Sequence, residues 1–211
     1  MIRLIGIVLF STVVMLSGCA YSVKPISMPA VNIYSSYDDK IPGTWIIIID
    51  DSAKNVLREI RASSHVCSAH TYPIYFGDAI TTSINRTMHS VFENTIERTN
   101  MPTFEELQQI GAKGIVLVKM DTFEPRLRCS MGFWSGTCTA SSDIGFGIIV
   151  RRQHEKLFAA SVGGSKTIDG DSGNACEGAV SILSESISKS VREALERMAE
   201  RLSNSPKLRR E

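Results

Sequence analysis

Five consecutive apolar residues, Trp45-Ile46-Ile47-Ile48-Ile49, constrain the fold of this chain more than any other stretch. Isoleucine is stiff at its first side-chain torsion, which disfavours a helix and suits a pleated sheet. A strand's side chains alternate between its two faces, so a run with no polar position must be covered on both. These residues therefore predict a central strand with a layer on each side. Asp50-Asp51-Ser52 ends it.

The rest of the pattern supplies those layers. Val56 to Ile60 reads as a second strand. Gly77 to Glu93 carries Ile80, Ile84, Met88 and Val91 at helical spacing, which predicts an amphipathic helix. Thr103 and Glu106 form a capping box, with Leu107 and Ile110 on one face and Gly111 placed to end the short helix. Ile115 to Met120 follows as an apolar strand. Ile144, Phe146, Ile148 and Val150 alternate with smaller residues, as a one-sided strand should. Arg151 to Glu155 makes a polar turn into Lys156 to Val162, and the glycine-rich stretch from Gly163 to Gly173 reads as flexible or turn-forming. Asn174 and Glu177 are spaced as another helix start. Val180, Leu183, Ile187, Val191, Ala194, Met198 and Leu202 then line one face of a long helix, with Glu185–Lys189 and Glu193–Arg197 as i,i+4 pairs on its wet side. The expected fold class is α/β: a single domain whose mixed sheet is packed by two main helices, one of them long and C-terminal.

The chain begins with Arg3 and an apolar segment from Leu4 to Leu16. That is shorter than the roughly 20 residues a membrane-spanning helix needs, and it reads as a secretory signal. It ends in Leu16-Ser17-Gly18-Cys19, which resembles the lipobox of bacterial lipoproteins. The resemblance implies cleavage before Cys19 and acylation, palmitate included, of its thiol. Multiple acyl chains anchor far more firmly than a single one. The next residues, Ala20 and Tyr21, lack an aspartate retention signal, so the resemblance points to the outer membrane, periplasmic face. The expected boundaries are 1–18 signal peptide, 19–44 lipidated tether, 45–203 domain and 204–211 polar tail. Pro25, Pro29 and Pro42 punctuate the tether, which as a flexible chain would average roughly 30 Å.

Beyond Cys19 there are four cysteines, Cys67, Cys129, Cys138 and Cys176. An even number in an oxidising compartment favours two disulfides. Three pairings are open. Cys129–Cys138, closing a short loop, with Cys67–Cys176 joining distant segments, is the favoured one. The net charge of +1, with no long block of like charge, points away from nucleic acid as a partner.

No stretch assembles a catalytic set or implies a cofactor. His65-Val66-Cys67-Ser68-Ala69-His70 has the residue types for zinc or copper or for a thiol nucleophile with a histidine base. An oxidised Cys67 serves neither. Asp50 and Asp51 at a strand end read as turn and cap formers before acid–base partners. Gly163-Gly164-Ser165-Lys166-Thr167 echoes a phosphate loop without its full spacing. Gly132-Phe133-Trp134-Ser135-Gly136 lacks the glycine two before the serine that a nucleophile elbow needs. Met131, Phe133 and Trp134, on a loop pinned by Cys129–Cys138, have the character of a preorganised contact surface.

The order of elements, from lipobox through capped short helix and strand (Thr103 to Met120) to a long last helix, is similar to a group of envelope domains. It includes penicillin-binding-protein activator lipoproteins, the amino-terminal domain of TolB and YajG-like lipoproteins, many of which lack the four cysteines. The resemblance is one of fold; the lipobox, the tether, the missing catalytic set and the pinned aromatic loop together point to a non-enzymatic outer-membrane lipoprotein that serves an envelope complex as an accessory or assembly subunit. Its partners would be outer-membrane lipid through Cys19 and an envelope protein. The alternative is a periplasmic carrier or sensor of a lipid or glycan.

Overall fold

A computed structural model of the chain describes residues 20–24, 32–132, 135–152 and 155–210. Its main sheet is built from β1 (Ile41–Ile49), β4 (Phe92–Arg98), β5 (Ala112–Met131), β6 (Gly136–Arg152) and β7 (Glu155–Asp171). These five strands lie in the order β4-β1-β5-β6-β7. β1 runs parallel to β4 and β5, while β5, β6 and β7 are antiparallel. A separate two-stranded sheet pairs β2 (Leu57–Ile60) with β3 (Tyr72–Tyr75). The mixed α/β sheet expected from the sequence is thus present, with Trp45–Ile49 in its parallel interior.

Both faces of β1 are buried. Trp45, Ile47 and Ile49 enter the main core, and Ile46 and Ile48 join Leu107 and Ile115 in a small core on the opposite face. Trp45 is fully enclosed, its ring centroid 5.2 Å from that of Phe92. The main core lies between the sheet and two helices, α2 (Gly77–Val91) and α4 (Gly178–Ser203). Short α1 (Asp51–Lys54) follows β1, α3 (Phe104–Ile110) covers the small core, and α5 (Pro206–Arg209) ends the chain. α3 carries the full Thr103–Glu106 capping box and stops at Gly111 in the left-handed region (φ 67°).

α4 sits unusually near the sheet because the residues between them are small. A Cβ on Gly164 would stand 2.1 Å from the Ser190 carbonyl oxygen. The hydroxyl oxygens of Ser142 and Ser190 are 2.7 Å apart, and Ser190 donates to the Ser142 carbonyl oxygen at 2.9 Å. Ser186 donates to the Lys166 carbonyl oxygen. These three serines are fully buried, and buried hydroxyls are tolerated only when bonded in this way.

Several boundaries differ from those expected. β1 begins at Ile41, inside the expected tether, and Val23 and Ile41 are fully buried. The tail is not solvated throughout: Leu208 and Ser205 are buried, and Arg209 lies over the Tyr37 ring at 4.0 Å. Gly163 to Asp171 continues β7 instead of turning, because Gly164 is where the helix touches the strand. The helix expected to start at Asn174 is a 3₁₀ turn there. Ala175 and Cys176 have positive φ, and the α-helix starts only at Gly178. The α2 helix ends at Val91, and Phe92 to Arg98 forms the edge strand β4.

Gly164→Ala should lower stability by about 1–3 kcal/mol, the range for overpacking. Urea unfolding monitored by circular dichroism measures it.

Candidate functional site

Both disulfides gather at one end of the molecule. Cys129 and Cys138 are directly paired on β5 and β6, with Cα atoms 4.0 Å apart and sulfurs bonded. Cys67 bonds Cys176 across 109 residues, tying the loop after β2 to the approach to α4. The sulfurs of Cys67, Cys129 and Cys138 lie within 4.8 Å of one another. Each is already bonded to another sulfur, so Cys67 has no thiolate to offer a metal or substrate beside His65 and His70. The loop is further held to β5: Ser63 N–H donates to the Leu127 carbonyl oxygen at 2.9 Å, and Cys129 N–H donates to Ser64 Oγ at 2.8 Å.

The chain just after Cys19 docks on this same end. Tyr21 N–H donates to the Thr71 carbonyl oxygen at 2.9 Å, Val23 N–H to that of Pro73 at 2.8 Å, and Tyr75 N–H to that of Val23 at 3.2 Å. Ala20 and Val23 therefore bridge to β3 and its approach in parallel. The Tyr21 hydroxyl donates to the Ala175 carbonyl oxygen, and its ring sits 6.0 Å from that of Tyr72 and 5.3 Å from that of His70. Tyr72, buried, donates to the Cys176 carbonyl oxygen at 3.2 Å. Burial, with a smaller contribution from Tyr21, pushes the Tyr72 phenol up to about 12. It stays a neutral donor throughout the physiological range.

Of the contact residues expected on the loop, Met131 is 70% exposed at the tip of the β5–β6 hairpin. Phe133 and Trp134 lie outside the described residues, as do Leu16 to Cys19.

Past Val118, β5 leaves β1 and only β6 pairs with it. The β5–β6–β7 sheet continues as an arm with α4 on its inner face, where Leu127, Cys138 and Ala140 are buried. Its other face is polar. Arg126 pairs with Glu124 and, at 3.2 Å, with Asp143 on β6. Thr139 bonds Asp169 across to β7 at 2.5 Å. Arg128, Ser130 and Thr137 are exposed beside them, and among the described residues no element covers this face. Sequence reasoning missed this surface because Pro125 and Arg126 stop the apolar run. The period-two alternation through Phe123, Leu127 and Cys129 was the available signal.

A cleft of about 580 Å³ lies at the far end of β5, lined by Phe104, Leu107, Gln108, Lys113 and Arg152 among others. It was not anticipated either, since its residues are scattered in sequence. Asp50 is an N-cap: its carboxylate accepts from Ser52 N–H at 2.9 Å. Hydrogen bonds from the Ser52 side chain and backbone hold the Asp50 carboxyl below the usual carboxylate range. This is a cap, not half of an acid–base pair. Gly163 to Thr167 lies within strand β7 and forms no phosphate loop.

No protein-family model matches this chain, and no curated protein does. Solved structures similar to it include three bacterial proteins. A Xanthomonas campestris protein of the DUF330 family is 9% identical with a TM-score of 0.45, over 87% of this chain and 92% of its own. A minor lipoprotein from Acinetobacter baumannii is 10% identical with a TM-score of 0.34, over 76% and 87%. A lipoprotein from Neisseria meningitidis is 13% identical with a TM-score of 0.24, over 69% and 95%. Among the described residues no helix is long and apolar enough to cross a membrane.

The two disulfides should differ in their weight. By loop entropy, Cys67→Ser/Cys176→Ser should cost about 4.8 kcal/mol and Cys129→Ser/Cys138→Ser about 2.7. Denaturant unfolding of the two pairs ranks them, the long-range bridge costing more. Asp50→Ala should cost about 1 kcal/mol at pH 7 through the lost cap. The folded-state pKa is depressed, so this contribution is present above the ordinary value of 3.8 and is lost as pH falls through the folded value. The gap between wild type and variant should accordingly close in acid, as followed by unfolding at stepped pH.

Proposed function

We propose that this chain is a non-enzymatic lipoprotein of the outer membrane, anchored through acylated Cys19 on the periplasmic face. It serves there as an accessory or assembly subunit of a cell-envelope complex. The lipobox residues Leu16 to Cys19 supply the anchor. The observation that carries the partner-binding role is the uncovered polar face of the β5–β6–β7 arm. Its cross-strand pairs fix Arg126, Asp143, Thr139 and Asp169 in place, and charges held in fixed positions steer and register a partner. Antiparallel sheets tolerate a solvated face. This one extends well past the last residues of β1, which makes it reachable by a second protein.

Arg126→Glu with Arg128→Glu should leave the circular dichroism spectrum and both disulfides intact while reducing, several-fold, the partner recovered after crosslinking in intact cells. Unchanged recovery would remove this face from the proposal.

The cleft beside α3 favours a second reading, a carrier of an amphiphile. Its volume of about 580 Å³ falls within the range of ligand pockets. Phe104 and Leu107 offer apolar surface, and Lys113 and Arg152 offer charge for an anionic headgroup. Native mass spectrometry of protein from its own host separates the readings. A bound lipid mass supports the carrier, and a clean apo mass supports the accessory subunit.

A further inference from the structure

Resting on Cys19 as the acylated residue, we infer that the domain lies with its disulfide end directly on the phospholipid bilayer, the hairpin tip at Met131 forming a second contact with lipid beside the acyl chains.

The first support is covalent. Consecutive Cα atoms are about 3.8 Å apart, and Ala20, the residue after Cys19, is already paired with Thr71. Tyr21 and Val23 are held by backbone hydrogen bonds to Thr71 and Pro73, and Val23 is fully buried. Ser184 on α4 donates to the Lys24 carbonyl oxygen at 3.1 Å, extending the docking past the bridge. No slack separates the lipid from the domain. The surface around Ala20 must stand at the depth of the headgroups.

The second support is the composition of that end. Three segments meet there: the loop through Cys67, the β5–β6 tip beyond Cys129, and Ser172 to Cys176. They are joined by the two disulfides and by Tyr21 and Tyr72 reaching Ala175 and Cys176. Val66 to Ala69, Cys129 to Ser142 and Ser172 to Cys176 contain no Asp, Glu, Lys or Arg. Charge stands only at its margins, in the exposed Arg128, Asp171 and Glu177, so the part that meets the apolar phase is the uncharged tip, and charge held at the headgroup level escapes the several kcal/mol that burying it would cost. His65 and His70 are the only titratable side chains on the loop between Arg61 and Thr71. Met131, the large apolar residue exposed there, is unbranched and flexible, which suits a disordered lipid surface.

The third support is direction. β5 runs from Ala112 to Met131, about 60 Å at the rise of an extended strand. Ala112 therefore points away from the membrane, together with Lys113, Arg152 and the Arg209–Tyr37 contact at the other end of α4. That far end faces the aqueous space, and the polar face of the arm stands upright along its edge.

The test uses the full lipidated protein reconstituted in vesicles of phosphatidylethanolamine and phosphatidylglycerol. A photo-crosslinking amino acid replaces Met131 in one variant and Lys113 in another, and phospholipid adducts are read by intact mass. The expected result is an adduct at position 131 in several-fold excess over position 113. Inserting a flexible Gly/Ser segment between Cys19 and Ala20 should lower the adduct at 131 several-fold while the protein stays on the vesicles. Equal yields at the two positions, no adduct at 131, or a yield unmoved by the insertion would overturn the inference. Protein recovered without acyl mass on Cys19 would instead overturn the lipoprotein reading on which it rests. Both disulfides are verified in the same spectra, so an unfolded variant is recognised.

Discussion

The close approach of α4 to strands β6 and β7 is the constraint on which the rest of the architecture depends. At Gly164 the helix backbone comes so near that no side chain fits, and the hydroxyls of Ser142, Ser186 and Ser190 bond across the gap. A helix of 26 residues is thereby laid along the β6–β7 hairpin. Its start is fixed beside Cys67, which allows the Cys67–Cys176 bridge, and its end is fixed where Asn204 meets the backbone of Tyr34 and Ser36. The two ends of the molecule acquire different characters from this one contact. One is crosslinked and carries the exposed Met131; the other carries Lys113, Arg152 and the cleft.

Under the proposed acylation of Cys19, that difference between the ends bears on how the domain is held. Residues 20–24 and 32–40 are bound to opposite ends of the domain, the first to β3 and the second to the C-terminal segment around Arg209. A stretch whose prolines suggest a loose leash thus contributes buried Val23 and Ile41 to the core. An anchor joined to a docked segment transmits orientation as well as location, because the domain has no free chain to rotate about. The exposed face of the arm would then be presented at a fixed height and direction, which lowers the orientational cost of meeting a partner held in the same membrane.

Much of this fold was legible because the relevant signals are local. Trp45 to Ile49 announces a strand covered twice, Thr103 and Glu106 announce a helix start, and the stripe from Val180 to Leu202 announces the long helix. The favoured cysteine pairing is the one observed. What was not legible depends on partners distant in sequence. Phe92 and Glu93 read as the end of the helix from Gly77 until β1 is seen beside them. Gly163 to Asp171 reads as a turn until Ser190 explains the glycine. β5 continues past Pro125, which lacks an N–H to share, because that part of the strand has no β1 alongside it. The exposure of Met131 at the hairpin tip agrees with its place beside Cys129 in the sequence. The polar face of the arm and the bridge from Ala20 to Thr71 were not legible.

Whether the residues after Cys19 belong to the domain decides between an oriented anchor and a loose one. Amide hydrogen exchange on the lipidated protein, read residue by residue, measures it directly. Tyr21 and Val23, which donate to Thr71 and Pro73, and Tyr75, which donates back to Val23, should exchange orders of magnitude more slowly than an unstructured chain, at rates similar to one another. Exchange of Tyr21 and Val23 at the rate of a free peptide, with Tyr75 unprotected beside them, would contradict the docked anchor and restore a loose tether between lipid and fold.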